Sequence, residues 1–154
     1  MIVLCRVDHR LLHGQVAFSW TNALGADCIL IADDDVVSDD IWKTTLKLAK
    51  PANVKLVIKN VEDAINALNS GVTDKYRSLI VVRTIDVAYK LAQACPQIQS
   101  INLGGTKKEG DDEQISKAIF VSETDKKLLK ELMDAGKEVE IRMLSSDSKQ
   151  VVKL

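Results

Sequence analysis

Short, continuously apolar segments alternate along the chain with longer stretches whose apolar residues recur every three or four positions. The short segments fall at residues 2–6, 28–32, 54–58, 79–82, 100–103, 118–121 and 139–143 and are rich in Ile, Val and Leu. A strand with one wet face alternates apolar and polar residues, whereas a strand buried on both faces is apolar throughout and belongs to a parallel sheet. The longer stretches predict helices over 15–24, 39–49, 61–68, 85–94 and 122–135. Their limits are chemically marked: Gly25 and Gly136 supply stops, Pro51 and Pro96 follow two others, and Ser122-Glu123-Thr124-Asp125 sets a capping box with Asp125 in the place of Glu. In the second helix Ile41, Trp42, Thr45, Leu46 and Ala49 share the expected inner face. Strands alternating with helices call for right-handed βαβ units. The expectation is therefore an α/β fold: one domain over residues 1–154, an open and mostly parallel sheet of about seven strands, and helices on both faces. Residues 104–113, polar and carrying three glycines, form the one long loop expected.

Composition narrows the functions open to such a fold. A length of 154 residues suits one domain, and 46% apolar with 28% charged residues is the balance of a soluble globular protein. A net charge of −1 supplies no field for nucleic acid or an anionic membrane, so neither is an expected partner. The apolar runs are strand-length, far short of the roughly 18 residues a membrane span needs. Residues 1–6 lack the charged leader of a signal peptide, so the chain is expected to be cytoplasmic and not membrane-spanning. Cys5, Cys28 and Cys95 sit in or beside apolar runs with no CxxC pair, which suits a reducing compartment and gives no zinc site.

Ligands of open α/β sheets bind beyond the carboxyl ends of the strands, so the loops that follow strands are where chemistry is expected. The first of these, residues 6–15, holds both histidines of the protein, His9 and His13, together with Arg6, Asp8 and Arg10. A neutral imidazole, with an unperturbed pKa of about 6.5, can attack phosphorus without a separate base. Arg6 and Arg10 offer planar forks that match phosphate oxygens. Gly14 and Gln15 begin the following helix, where backbone N–H groups attract anions and a glycine lets the backbone approach closely. Asp8 is placed to hold Arg10 or an imidazole. Composition alone leaves an ordinary charged surface loop open as the alternative.

The string Arg6-Val7-Asp8-x-Arg10-Leu11-Leu12-His13-Gly14-Gln15-Val16, with Trp20 shortly after, resembles the active-site signature of the mannose/fructose/sorbose-type IIB components of the sugar phosphotransferase system. The likeness continues through Asp33-Asp34, Leu48-Ala49-Lys50-Pro51, Asn102-Leu103-Gly104-Gly105 and Gly136, and so covers nearly the whole chain. The chain departs from it in reading Leu144-Ser145-Ser146-Asp147 where many members have a proline. The resemblance implies that His13 is phosphorylated, with Asp8 and Arg10 as its partners. A IIA protein carrying a phosphohistidine would be the donor, and a IIC/IID membrane permease would receive the group for an incoming sugar. No cofactor or metal is implied, because the donor already carries a high-energy P–N bond.

Other readings fit less well. Gly105–Gly110 has P-loop glycine spacing but is followed by Asp111-Asp112, not Lys-Ser/Thr. His9 and His13 have the spacing of HExxH, but Arg10 stands where that zinc motif needs Glu. Cys5 and Arg10 are one residue too close for a phosphatase loop. Asp33 and Asp34 read as acids ahead of a helix, with a part in the site left open. Arg83 and Thr84 end the fourth strand and are expected to bind phosphoryl oxygens if that strand adjoins the first. The second class of function is a non-catalytic regulatory or ligand-sensing α/β module. A receiver domain would need an aspartate after the third strand, where Ile58-Lys59-Asn60 stands.

Overall fold

A computed structural model describes residues 1–154. Its strands are β1 (Ile2–Asp8), β2 (Cys28–Ala32), β3 (Lys55–Lys59), β4 (Ser78–Val82), β5 (Ser100–Gly105), β6 (Glu113–Ser116), β7 (Ile119–Val121), β8 (Glu138–Ile141) and β9 (Gln150–Val151). Its helices are α1 (Gly14–Leu24), α2 (Asp40–Ala49), α3 (Val61–Ser70), α4 (Ile85–Ala94) and α5 (Glu123–Asp134). Seven strands form one sheet in the order β3-β2-β4-β1-β5-β8-β9, parallel except for β9 at the edge. No helix is long and apolar enough to cross a membrane.

Both faces of the sheet are covered. On one face, Leu4, Ile29, Ile31, Leu79 and Val81 pack with Ala17 and Trp20 of α1 and Leu46 of α2. On the other, Cys5, Val7, Leu30, Ile80 and Val82 pack with Ala64 and Leu68 of α3, Leu91 of α4, and Leu129 and Leu132 of α5. Successive strand residues thus feed opposite cores, which is why these strands read as unbroken apolar runs. The helix boundaries follow their caps. Asn60, Thr84 and Ser122 each accept a hydrogen bond from the third residue onward, and Ser122 and Asp125 complete the expected capping box. Gly25 ends α1 at φ 62°, the left-handed geometry that a C-terminal glycine provides.

Three expectations change. Residues 118–121 do not join the parallel sheet; β7 pairs with β6 in a separate antiparallel hairpin. The seventh place in the main sheet goes instead to the two-residue β9. The 104–113 stretch is shorter as a loop, since β5 runs through Gly105 and β6 begins at Glu113. On α2, Ile41 is 83% exposed and Thr45 is also exposed; the inward stripe runs through Trp42, Leu46 and Ala49.

Candidate functional site

The site grows from the end of β1, at the centre of the sheet between β4 and β5. The two-residue period of the strand sends Leu4, Arg6 and Asp8 toward α1, where the Arg6 guanidinium lies 5.0 Å from the centre of the Trp20 ring. The Leu11 N–H then donates to the Asp8 carbonyl at 2.9 Å, closing a turn in which Leu11 takes a φ of 60°. Few residues other than glycine adopt that left-handed geometry. Leu11 and Leu12 are both buried in the core beneath α1 and α2, and their burial holds the loop against this strain. His13 follows as the residue that caps α1, in extended conformation, but its imidazole does not cap the helix. It turns back instead, placing Nε2 2.9 Å from Asp8 Oδ2.

Asp8 is fully buried and four donors converge on it. Oδ2 meets His13 Nε2 and, at 3.1 Å, Arg6 Nη2; Oδ1 accepts from the Arg10 backbone N–H at 3.0 Å and from Arg10 Nε at 3.4 Å. Burial by itself raises the Asp8 pKa, but the bonds from His13 and the Arg10 N–H and the charge of Arg6 outweigh it and hold the carboxyl below its ordinary range. An ionised carboxylate only accepts, so this network assigns the proton of a neutral His13 to Nε2 and leaves the lone pair on Nδ1. The His13 side chain is 25% exposed and that of Arg10 is 45% exposed, so both reach solvent at the mouth of the site. Gly14 and Gln15, in the first turn of α1, are exposed beside them.

The remaining expected residues are engaged by other groups of the protein. Arg6 is 2% exposed; Nη1 donates to Asn102 Oδ1 at 2.6 Å and to the Arg142 carbonyl at 3.0 Å, and Nη2 to Asp8 and to the Met143 carbonyl at 2.9 Å. It sits behind Asp8, with both terminal nitrogens engaged by the protein. Arg83 does end a strand adjoining β1, but its Nη2 donates to Asp33 at 2.9 Å and Asp35 at 2.8 Å, and it stacks 4.9 Å from the Trp42 ring. Its hydrogen bond to Asp33 raises its pKa further. The Thr84 hydroxyl accepts from the Val87 N–H to cap α4. Together with His9, Thr106, Lys107 and Phe120, these two residues line a polar cleft of about 750 Å³. His9 Nδ1 is buried there without a hydrogen-bond partner. Asp33 and Asp34 serve the backbone, Asp33 accepting from the Asp35 and Val36 N–H groups and Asp34 from that of Val61. No group of three His, Cys, Asp or Glu side chains is arranged to hold a metal ion.

The structure therefore gathers Asp8, Arg10, His13, Gly14 and Gln15, and adds a network behind Asp8 in which, of its members, only Asn102 stood in a motif and without a role. Its members are Asn102 on β5, Glu140 on β8, and Arg142. The available signal is the alternation Glu138-Val139-Glu140-Ile141-Arg142 in a segment expected inside, since a buried charge demands a partner.

An imidazole with one nitrogen pinned and the other free, beside a partly exposed guanidinium and a helix N-terminus, is equipped to take up and release a phosphoryl group. Comparison with known proteins points the same way. Residues 2–153 match the family described as PTS system sorbose subfamily IIB component. The chain is 32% identical over 149 residues to the PTS system fructose-specific EIIB component of Bacillus subtilis, covering 97% of this chain and 91% of that one. It is also 32% identical to the sorbose-specific EIIB component of Lacticaseibacillus casei, over 96% and 90% of the two chains. The crystal structure of the N-acetylgalactosamine-specific IIB component 1 of Escherichia coli superposes with a TM-score of 0.92 at 26% identity, over 99% of this chain and 100% of that one. The chain belongs to the sorbose subfamily of phosphotransferase-system IIB components, the enzymes that carry a phosphoryl group on histidine toward a transported sugar.

Proposed function

We propose that Nδ1 of His13 is the atom that carries the phosphoryl group. The observation behind this reading is the 2.9 Å contact between His13 Nε2 and the buried, ionised Asp8. In the transfer, the Nδ1 lone pair forms the new P–N bond as the P–N bond of the donor phosphohistidine breaks and returns its electron pair to the donor ring. The His13 ring gains positive charge, and Asp8 stabilises it through the proton on Nε2. Arg10, half exposed at the mouth, swings its guanidinium onto the equatorial oxygens, and the first N–H groups of α1 face the same anion. Arg6 acts from behind Asp8, and Arg83 is neutralised by Asp33 and Asp35, so neither supplies the first contact with phosphate.

Family membership implies a IIA donor and a IIC/IID membrane acceptor. The relatives above are named for fructose, sorbose and N-acetylgalactosamine, so one scaffold serves several sugars. That range of sugars supports the reading that selectivity resides in the membrane components. The test is phosphoryl relay from phosphoenolpyruvate through enzyme I, HPr and a cognate IIA, followed by intact mass. One acid-labile, alkali-stable phosphoryl group is expected on the wild-type chain and none on His13→Ala. The fold is expected to persist in that variant, because the His13 side chain makes no capping bond to α1 and Asp8 retains Arg6 and Arg10. Labelling of folded His13→Ala, or no label from a charged IIA, refutes the assignment.

A further inference from the structure

We propose that Glu140 and Arg142 are positioning residues for phosphoryl transfer, acting through Asn102 and Arg6 to hold Asp8 against His13. The proposal rests on the reading of His13 as the acceptor. Two ion pairs lie end to end behind the site. Arg6 Nη2 meets Asp8 Oδ2 at 3.1 Å, and Arg142 Nη2 meets Glu140 Oε1 at 3.1 Å. Asn102, fully buried, joins them: its Oδ1 accepts from Arg6 at 2.6 Å while its Nδ2 donates to Glu140 Oε1 at 3.0 Å and to the Arg142 carbonyl at 3.2 Å. The negative charge of Glu140 thus fixes which end of the Asn102 amide faces Arg6. Trp20 locks the assembly from the α1 side. Its ring lies 5.0 Å from the Arg6 guanidinium and 4.8 Å from that of Arg142, and its indole N–H donates to the Met143 carbonyl at 3.0 Å.

The backbone of β5 is shaped for this arrangement. A Cβ on Gly104 would come within 2.2 Å of Arg6 Cζ, so the guanidinium occupies space that any other residue would fill. Arg6, Asp8, Asn102 and Glu140 are all 3% exposed or less. Removing so many polar groups from water is a poor way to gain stability, since a packed apolar set commonly serves folding as well or better. What the network provides instead is direction. Asp8 must remain ionised and aimed while the His13 ring gains charge, and Arg6 is the one cation bound to the same Asp8 oxygen as His13. Arg6 is itself held by the Asn102 oxygen and by the carbonyls of Arg142 and Met143, which follow β8 in the chain.

The experiment compares wild-type protein with Glu140→Gln, Glu140→Asp and Gly104→Ala, each checked for folding by circular dichroism. Two quantities are read: single-turnover labelling of His13 by a phosphorylated IIA, and the His13 tautomer in unphosphorylated protein by ¹⁵N imidazole NMR. In Glu140→Gln, the maximal labelling rate is expected to fall about tenfold while the donor concentration at half-maximal rate stays within about twofold, the pattern of a misaligned nucleophile. The Nε2–H tautomer should lose population in the same variant, and Glu140→Asp should recover most of both. Gly104→Ala displaces Arg6 from the β5 side without altering the charge, and should reproduce the defect; it carries the test if Glu140→Gln does not fold. A folded variant with wild-type rate and tautomer overturns the proposal, as does lowered stability with the tautomer unchanged. Failure of the underlying reading shows differently, as absence of label on wild-type His13, and the tautomer measurement still judges the network.

Discussion

Phosphorylating one nitrogen of an imidazole is efficient only if the other is held, and the holder here is a carboxylate with no access to water. Asp8 and Arg10 therefore make separable contributions. Asp8→Asn preserves the shape of the side chain but replaces an obligate acceptor by a group that also donates, so His13 loses both its fixed tautomer and its counter-charge. Single-turnover labelling should slow by about a hundredfold or more, as when an orienting carboxylate is neutralised in a hydrolase triad. Arg10→Ala leaves the His13–Asp8 contact in place and removes the partly solvated cation that we propose bonds the phosphoryl oxygens. A fall of about tenfold in labelling rate is expected, partly restored by Arg10→Lys, which returns the charge without the planar fork. Rapid-quench kinetics with a charged IIA distinguishes the two. Equal losses would show that Asp8 and Arg10 act as one unit, and an unchanged rate for Arg10→Ala would remove it from the reacting site.

Among the elements, α5 shows how a local signal sets a boundary without touching the chemistry. Ser122 accepts from the Asp125 N–H at 3.0 Å and Asp125 from the Ser122 N–H at 3.0 Å. Ser122→Ala breaks the reciprocal pair and should cost about 1 kcal/mol, seen as a lower denaturation midpoint. Labelling of His13 should stay within about twofold of wild type, because α5 packs on the face opposite α1. Such caps, like the Gly25 stop, are written in a few adjacent residues and are readable for that reason. The same holds for Cys28–Ala32, whose burial on both faces leaves an unbroken apolar run. Residues 118–121 mislead because an apolar run states that a strand is buried, not which strand it pairs with. Its true partner, Glu113–Ser116, is too polar to announce itself, and β9 is two residues long. Ile41 misleads for a related reason: periodicity gives the width of a helix stripe, while packing chooses its phase. The clustering of His13, Asp8 and Arg10 was legible because they lie within six positions of each other. Asn102 and Arg142 reach Arg6 across 96 and 136 residues, so only the folded sheet brings them together.

At the scale of the whole molecule, the bonds that hold two carboxylates and the burial of the thiols make stability depend on pH from two directions. Asp8 and Glu138 are held below the ordinary carboxylate range. For Asp8, burial opposes the shift, and the bonds from His13 and Arg10 and the charge of Arg6 outweigh it; for Glu138 the causes are its bonds to Ser100 and Lys149. A group whose folded pKa is depressed contributes stability above its unfolded value and loses it as pH falls through the folded one, so these two define an acid limb. Cys5 lies on the other side of the sheet, in the larger core, where burial, reinforced by Cys95, pushes its thiol up to about 12. An unfolded thiol ionises near about 8.5, so the contribution of Cys5 is complete below that value and lost as pH rises toward 12. Cys28 and Cys95 are shifted upward too, mainly by burial, and steepen the same limb. Thermal melts are therefore expected to give a plateau in melting temperature from about pH 5 to pH 8, with a decline on either side. The two limbs belong to different residues and should respond separately. Asp8→Asn should shallow the acid decline and leave the alkaline one, while Cys5→Ala should shallow the alkaline decline between about pH 9 and pH 11 and leave the acid one. Cys5→Ala also removes buried volume, but a cavity lowers the whole curve by a constant amount and does not alter its slope. An alkaline slope as steep in Cys5→Ala as in wild type would place the titrating group elsewhere, and a matching loss of His13 labelling would show that the two cores do not act independently across the sheet.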